Sequence, residues 1–554
     1  MTPVQPKSPH PSRLSEEASA SRKRLKMMRR LYIAVPPICL ILQAIITDMD
    51  LENLASCAII VLSAWIIAWY ALRPDVFRAF PLSTITMLAF NFTTLTGALV
   101  FQTVSWRSVI YNLEVPITAF AMLTLAQLGF LIGHTIYRKL FFVAQIPVLL
   151  SKGIIRPLGG FEIPTNLQLW AIGILGLASM VGSRIILGAE IQTGNVIGKF
   201  FQALSPLMYL PYLIPFLHKL DISRSTPSSP NWLMLVGYTA SILVFTLMIN
   251  ARAVFVLAPL VFITVFYLCY LLGIITIPRK AWPSIIISTP FVLISGFLLL
   301  DLSTAMLVAR AQRGAISPTE LAALTVESFF DKNALQRYEA RDTGGTQSQA
   351  YSEAYFRTGI LGRFVTTKFH DNMFFYSRNF TDSERKKLTT YTYNRTVAIL
   401  PQPAINLLGL NVRKDFNAAS MGDFTYYLGS GDVHAFGGQR TGSAIQNAIS
   451  IFGFASAFVF PLMAILISIA IDAFRNYAKQ GLLFSPIILT SLIGPTASLS
   501  LESITGVINF STRGLAQSII LYAAVFFIMK IIFPGKPKAP RIAPALKPTS
   551  LVVE

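Results

Sequence analysis

Residues 54–72 read LASCAIIVLSAWIIAWYAL, nineteen positions without a charged side chain. A bilayer's hydrocarbon core is about 30 Å thick, and a helix needs roughly 20 apolar residues to cross it. This stretch therefore reads as a membrane span. Working outward from it, similar runs cover about 31–49, 80–101, 116–136, 167–188, 204–218, 231–250, 253–274, 284–300, 443–471, 483–500 and 515–533. The composition agrees. Of 554 residues 53% are hydrophobic and 13% charged, with mean hydropathy +0.58. A soluble globular chain carries about 25% charged residues, and a single soluble core of this size could not hide so much apolar surface. The fold class expected is all-α: a polytopic helical membrane protein of about twelve spans.

The formal net charge of +20 could signal nucleic-acid binding. Here the basic residues sit in short loops between apolar runs, where they orient helices, so no nucleic-acid partner is expected. Arg22, Lys23, Arg24, Lys26, Arg29 and Arg30 place the N-terminus in the cytoplasm. Every second loop adds cations, among them Arg73 and Arg78, Arg138 and Lys139, Arg279 and Lys280, and Arg475 and Lys479. The tail carries Lys536, Lys538, Arg541 and Lys547, so both ends are expected inside. About thirty polar residues precede the first run and no small-residue cleavage site follows it, so Leu31–Thr47 is expected to be kept as a helix. Cys39, Cys57 and Cys269 all fall inside apolar runs, which suits neither a disulfide framework nor a zinc site.

Asp301–Arg440 breaks the pattern. It lacks any span-length apolar run and is rich in Arg, Asp, Tyr, Asn and Gly. Long loops translocate whatever their charge, so a large, folded, wet domain is expected on the extracytoplasmic (periplasmic) face. The layout is then a basic tail over 1–30, spans over 31–300, the loop domain over 301–440, further spans over 441–533 and a basic tail over 534–554. Ser317–Leu324 and Asp382–Leu388 have the composition of helix starts.

There is no Walker loop, no HExxH and no partnered GxSxG, so nucleotide-driven transport and metalloproteolysis lack support. No metal and no cofactor is expected. Asp48-Met49-Asp50 spells DxD, but at the first outer turn it reads as an interfacial cap. Three features mark the outer face. Arg252 lies in a tight turn between two spans, where a guanidinium at membrane depth is costly and points to function. Arg310 and Arg313 open the loop domain, and arginine forks match phosphate oxygens in pairs. The domain closes on Gly431-Asp432-Val433-His434, followed by Arg440-Thr441-Gly442-Ser443. There His434, flanked by Asp432 and Arg440, could act as acid or base. His370-Asp371 is a second such pair.

Two stretches resemble the O-antigen polymerase and ligase superfamily, the Wzy-type repeat-unit polymerases. Asn250-Ala251-Arg252-Ala253-Val254-Phe255-Val256-Leu257 is similar to the family's small-polar-Arg turn leading into a helix. Arg440 to Phe454, ending in Phe452-Gly453-Phe454, resembles its return helix after the large outer loop. The ligases' His-Asn pair is not matched, because Ala435 follows His434, and this favours polymerase over ligase. The resemblance implies a GT-C-like helical fold in the bacterial inner membrane. It implies a glycosyltransferase that joins undecaprenyl-pyrophosphate-linked oligosaccharide units into O-antigen, capsule or exopolysaccharide, with a flippase and a chain-length regulator as pathway partners. Arg252 and His434 would be catalytic; Arg310, Arg313, Arg440 and Asp432 would hold substrate. A transporter or flippase of an anionic or lipid-linked substrate is the alternative, and it should show broken helices with charges at membrane depth.

Overall fold

The computed structural model describes residues 11–47, 50–187, 196–220, 230–278, parts of 280–331, 351–356, 361–412, 419–476 and 483–534. The described residues are 80% helical, as an all-α membrane protein must be when lipid can satisfy no backbone polar group. Among the described residues nine helices are long and apolar enough to cross a membrane: Ser15–Ile46, Leu51–Ala71, Pro81–Val104, Pro116–Lys139, Asn166–Ser183, Ile197–Leu217, Trp232–Ile249, Ala444–Asp472 and Ile504–Ile532. The expected span at 253–274 is the helix Arg252–Leu271, whose apolar part is shorter than the others. The one expected at 284–300 lies almost wholly outside the described residues. The one at 483–500 is broken into Pro486–Thr490 and Ile493–Ser500. All three cysteines are free and buried.

Close helix contact is made where side chains are smallest. A Cβ on Gly133 would lie 2.2 Å from the Pro461 carbonyl oxygen, and one on Gly176 would lie 2.3 Å from the Met208 nitrogen. Backbones approach this closely in membranes because lipid offers helices no hydrophobic reason to associate, leaving packing to hold them.

Contacts sort the connections into two ends. At the end carrying the N-terminal tail, Arg24 donates to the carbonyls of Tyr270 and Ile275, both at 2.6 Å. Ser151 donates to Arg475 O, Arg475 to Ala79 O, and Lys530 pairs with Glu162. A hydrogen-bond chain is buried just inside this end. Ser83 donates its hydroxyl proton to Asp472 (2.7 Å) and its amide to the same carboxylate (3.3 Å), and Tyr137 adds a third donor at 3.0 Å. With that proton committed, His134 Nε2 must donate to Ser83 Oγ (2.9 Å), so Nδ1 accepts from the Tyr70 hydroxyl at 2.8 Å. Four helices are joined in this way.

At the far end, Gln43 donates to Thr103 Oγ1 and Arg107 O, Asn250 donates to Met306 O, and the long stretch before Ala444 packs on the bundle. Its helices start where the composition marks them: capping boxes of Ser317 with Glu320 and Thr381 with Glu384 open Pro318–Phe330 and Asp382–Val397. Asp50 likewise caps Leu51–Ala71 by accepting from Asn53 N at 2.6 Å. Its core differs from that of a detached wet domain. Phe380, Leu388, Tyr391, Met421 and Leu428 form a small cluster of their own, whereas Tyr355, Phe356, Val365 and Phe374 belong to the core of the spans.

Candidate functional site

The span Pro81–Val104 loosens into a π-helical turn at Phe92–Thr96, which leaves carbonyls free to accept other partners. The chain after Leu361 enters there. Thr366 N donates to Thr93 O at 2.8 Å, and Thr367 Oγ1 donates to Thr94 O at 2.9 Å. Thr93 is eleven residues short of Val104, roughly 16 Å along a helix axis. Part of the stretch expected as an outer loop is thus re-entrant. Irregular backbone at such depth is tolerated only where protein buries it.

From this point the helix Thr367–Ser377 climbs back, with Thr367 through Phe374 all buried. Asp371 is fully buried. It accepts from the amides of Glu114 (3.0 and 2.9 Å) and Val115 (2.8 Å), at the N-terminus of Pro116–Lys139, and pairs with buried Lys368 at 3.0 Å. A carboxylate there meets unpaired amides and the positive end of the helix dipole. The neighbouring His370 ring is also fully buried. Its Nδ1 lies 2.7 Å from Ser443 Oγ, and its Nε2 has no partner. The Ser443 oxygen also accepts from Gln446 N at 3.1 Å, and in the tautomer where its own proton goes to Nδ1 the ring proton sits on the unpartnered Nε2. Burial pushes the His370 pKa down to about 3, so the ring is neutral.

The strip Arg440-Thr441-Gly442-Ser443 gathers the rest. Arg440 pairs with buried Asp423 at 3.1 Å and donates to Ala435 O at 2.6 Å. Its guanidinium lies 4.2 Å from the Tyr426 ring centroid and 5.0 Å from that of Tyr351, with Nε unpartnered. Tyr351, Tyr376 and Tyr426 pack on one another with centroids 4.8–6.1 Å apart. Two residues along, Gly442 O accepts from Glu502 N at 3.0 Å. A Cβ on Gly442 would lie 2.5 Å from Glu502 O, so no larger residue fits. Glu502 has a left-handed backbone, φ 66°. Its carboxylate is 3.7 Å from Arg395 and 3.3 Å from Met421 N.

The expected site residues fare differently. Arg440 is central, but it turns to Asp423. His434 is exposed on a short 3-10 turn, and Asp432 caps that turn by accepting from His434 N at 2.8 Å. The buried histidine-aspartate pair is His370-Asp371. Arg252 begins the helix after Asn250, itself left-handed at φ 47°, and its side chain lies outside the described residues, as do Arg310 and Arg313. Among the described residues no group of three or more His, Cys, Asp or Glu is placed to hold a metal. Sequence reasoning missed Asp423, Glu502, Lys368 and the tyrosines. Glu502 did leave a signal, as the sole acid between Asp472 and Phe533, set at a turn between two apolar runs. Comparison with protein-family models, curated proteins and solved structures finds no match to this chain.

Proposed function

We propose that this protein is a membrane glycosyltransferase that polymerises lipid-pyrophosphate-linked oligosaccharide units, working at its far end on the outer face of a bacterial inner membrane. The observation that supports the reading best is the strip Arg440–Ser443. It draws an arginine on aromatic rings, a carboxylate on strained backbone and a buried histidine with an unpartnered ring nitrogen into one wall. Aromatic faces suit sugars, guanidinium groups suit the leaving pyrophosphate, and a carboxylate or an exposed imidazole can take the acceptor hydroxyl's proton. On this reading Glu502 or His434 takes that proton, Arg252, Arg310 and Arg313 face the pyrophosphate, and His370 positions Ser443. A flippase and a chain-length regulator would act in the same pathway.

A lipid-linked substrate transporter is the second reading, favoured by the broken run Pro486–Ser500 and the re-entrant segment. Reconstituted protein given undecaprenyl-pyrophosphate repeat units separates the two. A polymerase yields a ladder of longer glycans, while a transporter moves unit-length glycan across the vesicle wall and lengthens nothing. Within the polymerase reading, Arg252→Ala should cut polymer yield well over tenfold, the scale of a lost charged partner. Arg252→Lys should do nearly as badly, because lysine cannot grip two oxygens at once. A lysine variant with normal product would leave Arg252 as a headgroup anchor.

A further inference from the structure

From Thr396 to Val412 the chain reads TVAILPQPAINLLGLNV, seventeen residues with no charge, inside the stretch richest in arginine. Arg395 precedes it and Arg413-Lys414 follow. An uncharged run in a wet loop should fold inward, and this one does so only in part. Ile405 is buried, but Leu407 is 89% exposed and Leu408 61%. Both sit at the end of the short helix Gln402–Leu407, and Gly409 turns the chain with φ 65°.

Its height relative to the bilayer follows from the last span. Thr396 Oγ1 meets Thr505 Oγ1 at 2.8 Å, and Ile399 O accepts from Arg513 at 3.3 Å. Between these contacts the chain descends toward the other end by two turns of that helix. Lys530, bound to Glu162 at the tail end, is seventeen residues from Arg513 (530 − 513), about 26 Å of helix. Arg513 therefore stands at the far edge of the hydrocarbon layer, where exposed arginines reach for headgroups. The segment after Ile399 leaves the protein at that level. It lies beside a span whose outer surface, including Ile520 at 57% exposed and Phe527 at 64%, already faces lipid.

We infer that residues 400–410 form an interfacial wedge, with Leu407 and Leu408 inserted among the acyl chains of the leaflet at the far end. Their occupant is lipid, because the exposed leucines continue a lipid-facing surface at membrane depth. The wedge would fix the height of the Arg440–Ser443 wall above the bilayer, yet it stands whatever reaction that wall performs.

Spin labels on Leu407→Cys, Leu408→Cys and, as a control, Lys386→Cys test it in nanodiscs of zwitterionic and anionic lipid. The three native cysteines are buried and stay unlabelled. Position 386 is exposed on the helix Asp382–Val397. Collisions with a water-soluble nickel complex should fall about tenfold or more at 407 and 408 relative to 386, because a polar solute is excluded from hydrocarbon, while collisions with oxygen rise. Equal nickel access at all three positions would overturn the wedge. Dipolar broadening between labels would assign the leucines to a second copy of the chain and overturn it as well. On the unaltered chain, a photoreactive lipid probe should mark peptides spanning 400–410, and an unmarked segment would count against insertion whatever the cysteine variants do.

Discussion

Two buried polar networks, one near each end of the bundle, are completed to different degrees. At the tail end the chain from Tyr70 through His134 and Ser83 to Asp472 is closed: each hydroxyl and each ring nitrogen in it has its partner. Left-handed backbone there falls on Gly159 and Gly273, where it costs little. At the far end, His370 Nε2, Thr425 Oγ1, Gln446 Oε1, Arg440 Nε and Ser503 Oγ are buried without partners. Left-handed backbone there falls on Gly409, Gly431 and Gly437 but also on Trp106, Asn112, Asn250, Gln439 and Glu502, the five non-glycine cases among the described residues. Such a position costs of order 1–2 kcal/mol for a residue with a Cβ, and strain of this kind gathers where structure serves function. A closed network staples helices. An open, strained one is where a ligand can complete the bonds.

The comparison can be broken at its strongest point first. Asp472→Ala would remove the carboxylate that three buried donors share, at about 1–3 kcal/mol for each bond lost. Unfolding in mild detergent should show a loss of roughly 3–5 kcal/mol, and a small loss would mean the tail-end chain is not a staple.

Asp371 tests a closed element of the far end. Asp371→Asn keeps the shape but removes the charge from Lys368 and from the helix terminus, so about 2–3 kcal/mol should go. Thermal denaturation should show this loss, and restoring neutrality with Lys368→Met on top should recover part of it. A double variant no better than the single one would refute the pairing.

The third test is the smallest in energy at neutral pH. The folded state keeps His370 neutral down to about pH 3, whereas the unfolded chain takes up its proton near 6.5. Between these values the unfolded state binds more protons, so stability rises with pH and is lost as pH falls below 6.5. The slope is at most about 1.4 kcal/mol per pH unit. In His370→Gln that part of the slope should vanish, with about 1 kcal/mol lost at neutral pH. Polymer formation should fall far more than stability if the open wall is the working one; a variant that is acid-sensitive as before and fully active would remove His370 from both roles.

The amino-acid sequence by itself determined the membrane character, the helical class and the position of most spans, because a twenty-residue apolar run has one cheap solution in lipid. It also marked helix starts at Ser317 and Asp382, since capping is a local matter of a side chain three residues from an amide. The strip Arg440–Ser443 stood out through its letters, but its meaning did not. Only tertiary structure decided that residues 361–377 dip into the bundle rather than float in water, that His370 and not His434 is buried, and that Glu502 meets Gly442. These placements depend on partners 60 to 270 residues away, such as Thr93 for Thr366 and Glu502 for Gly442. A polar residue reads the same in sequence whether water or a loosened π-turn satisfies it, and only the packed chain makes that choice.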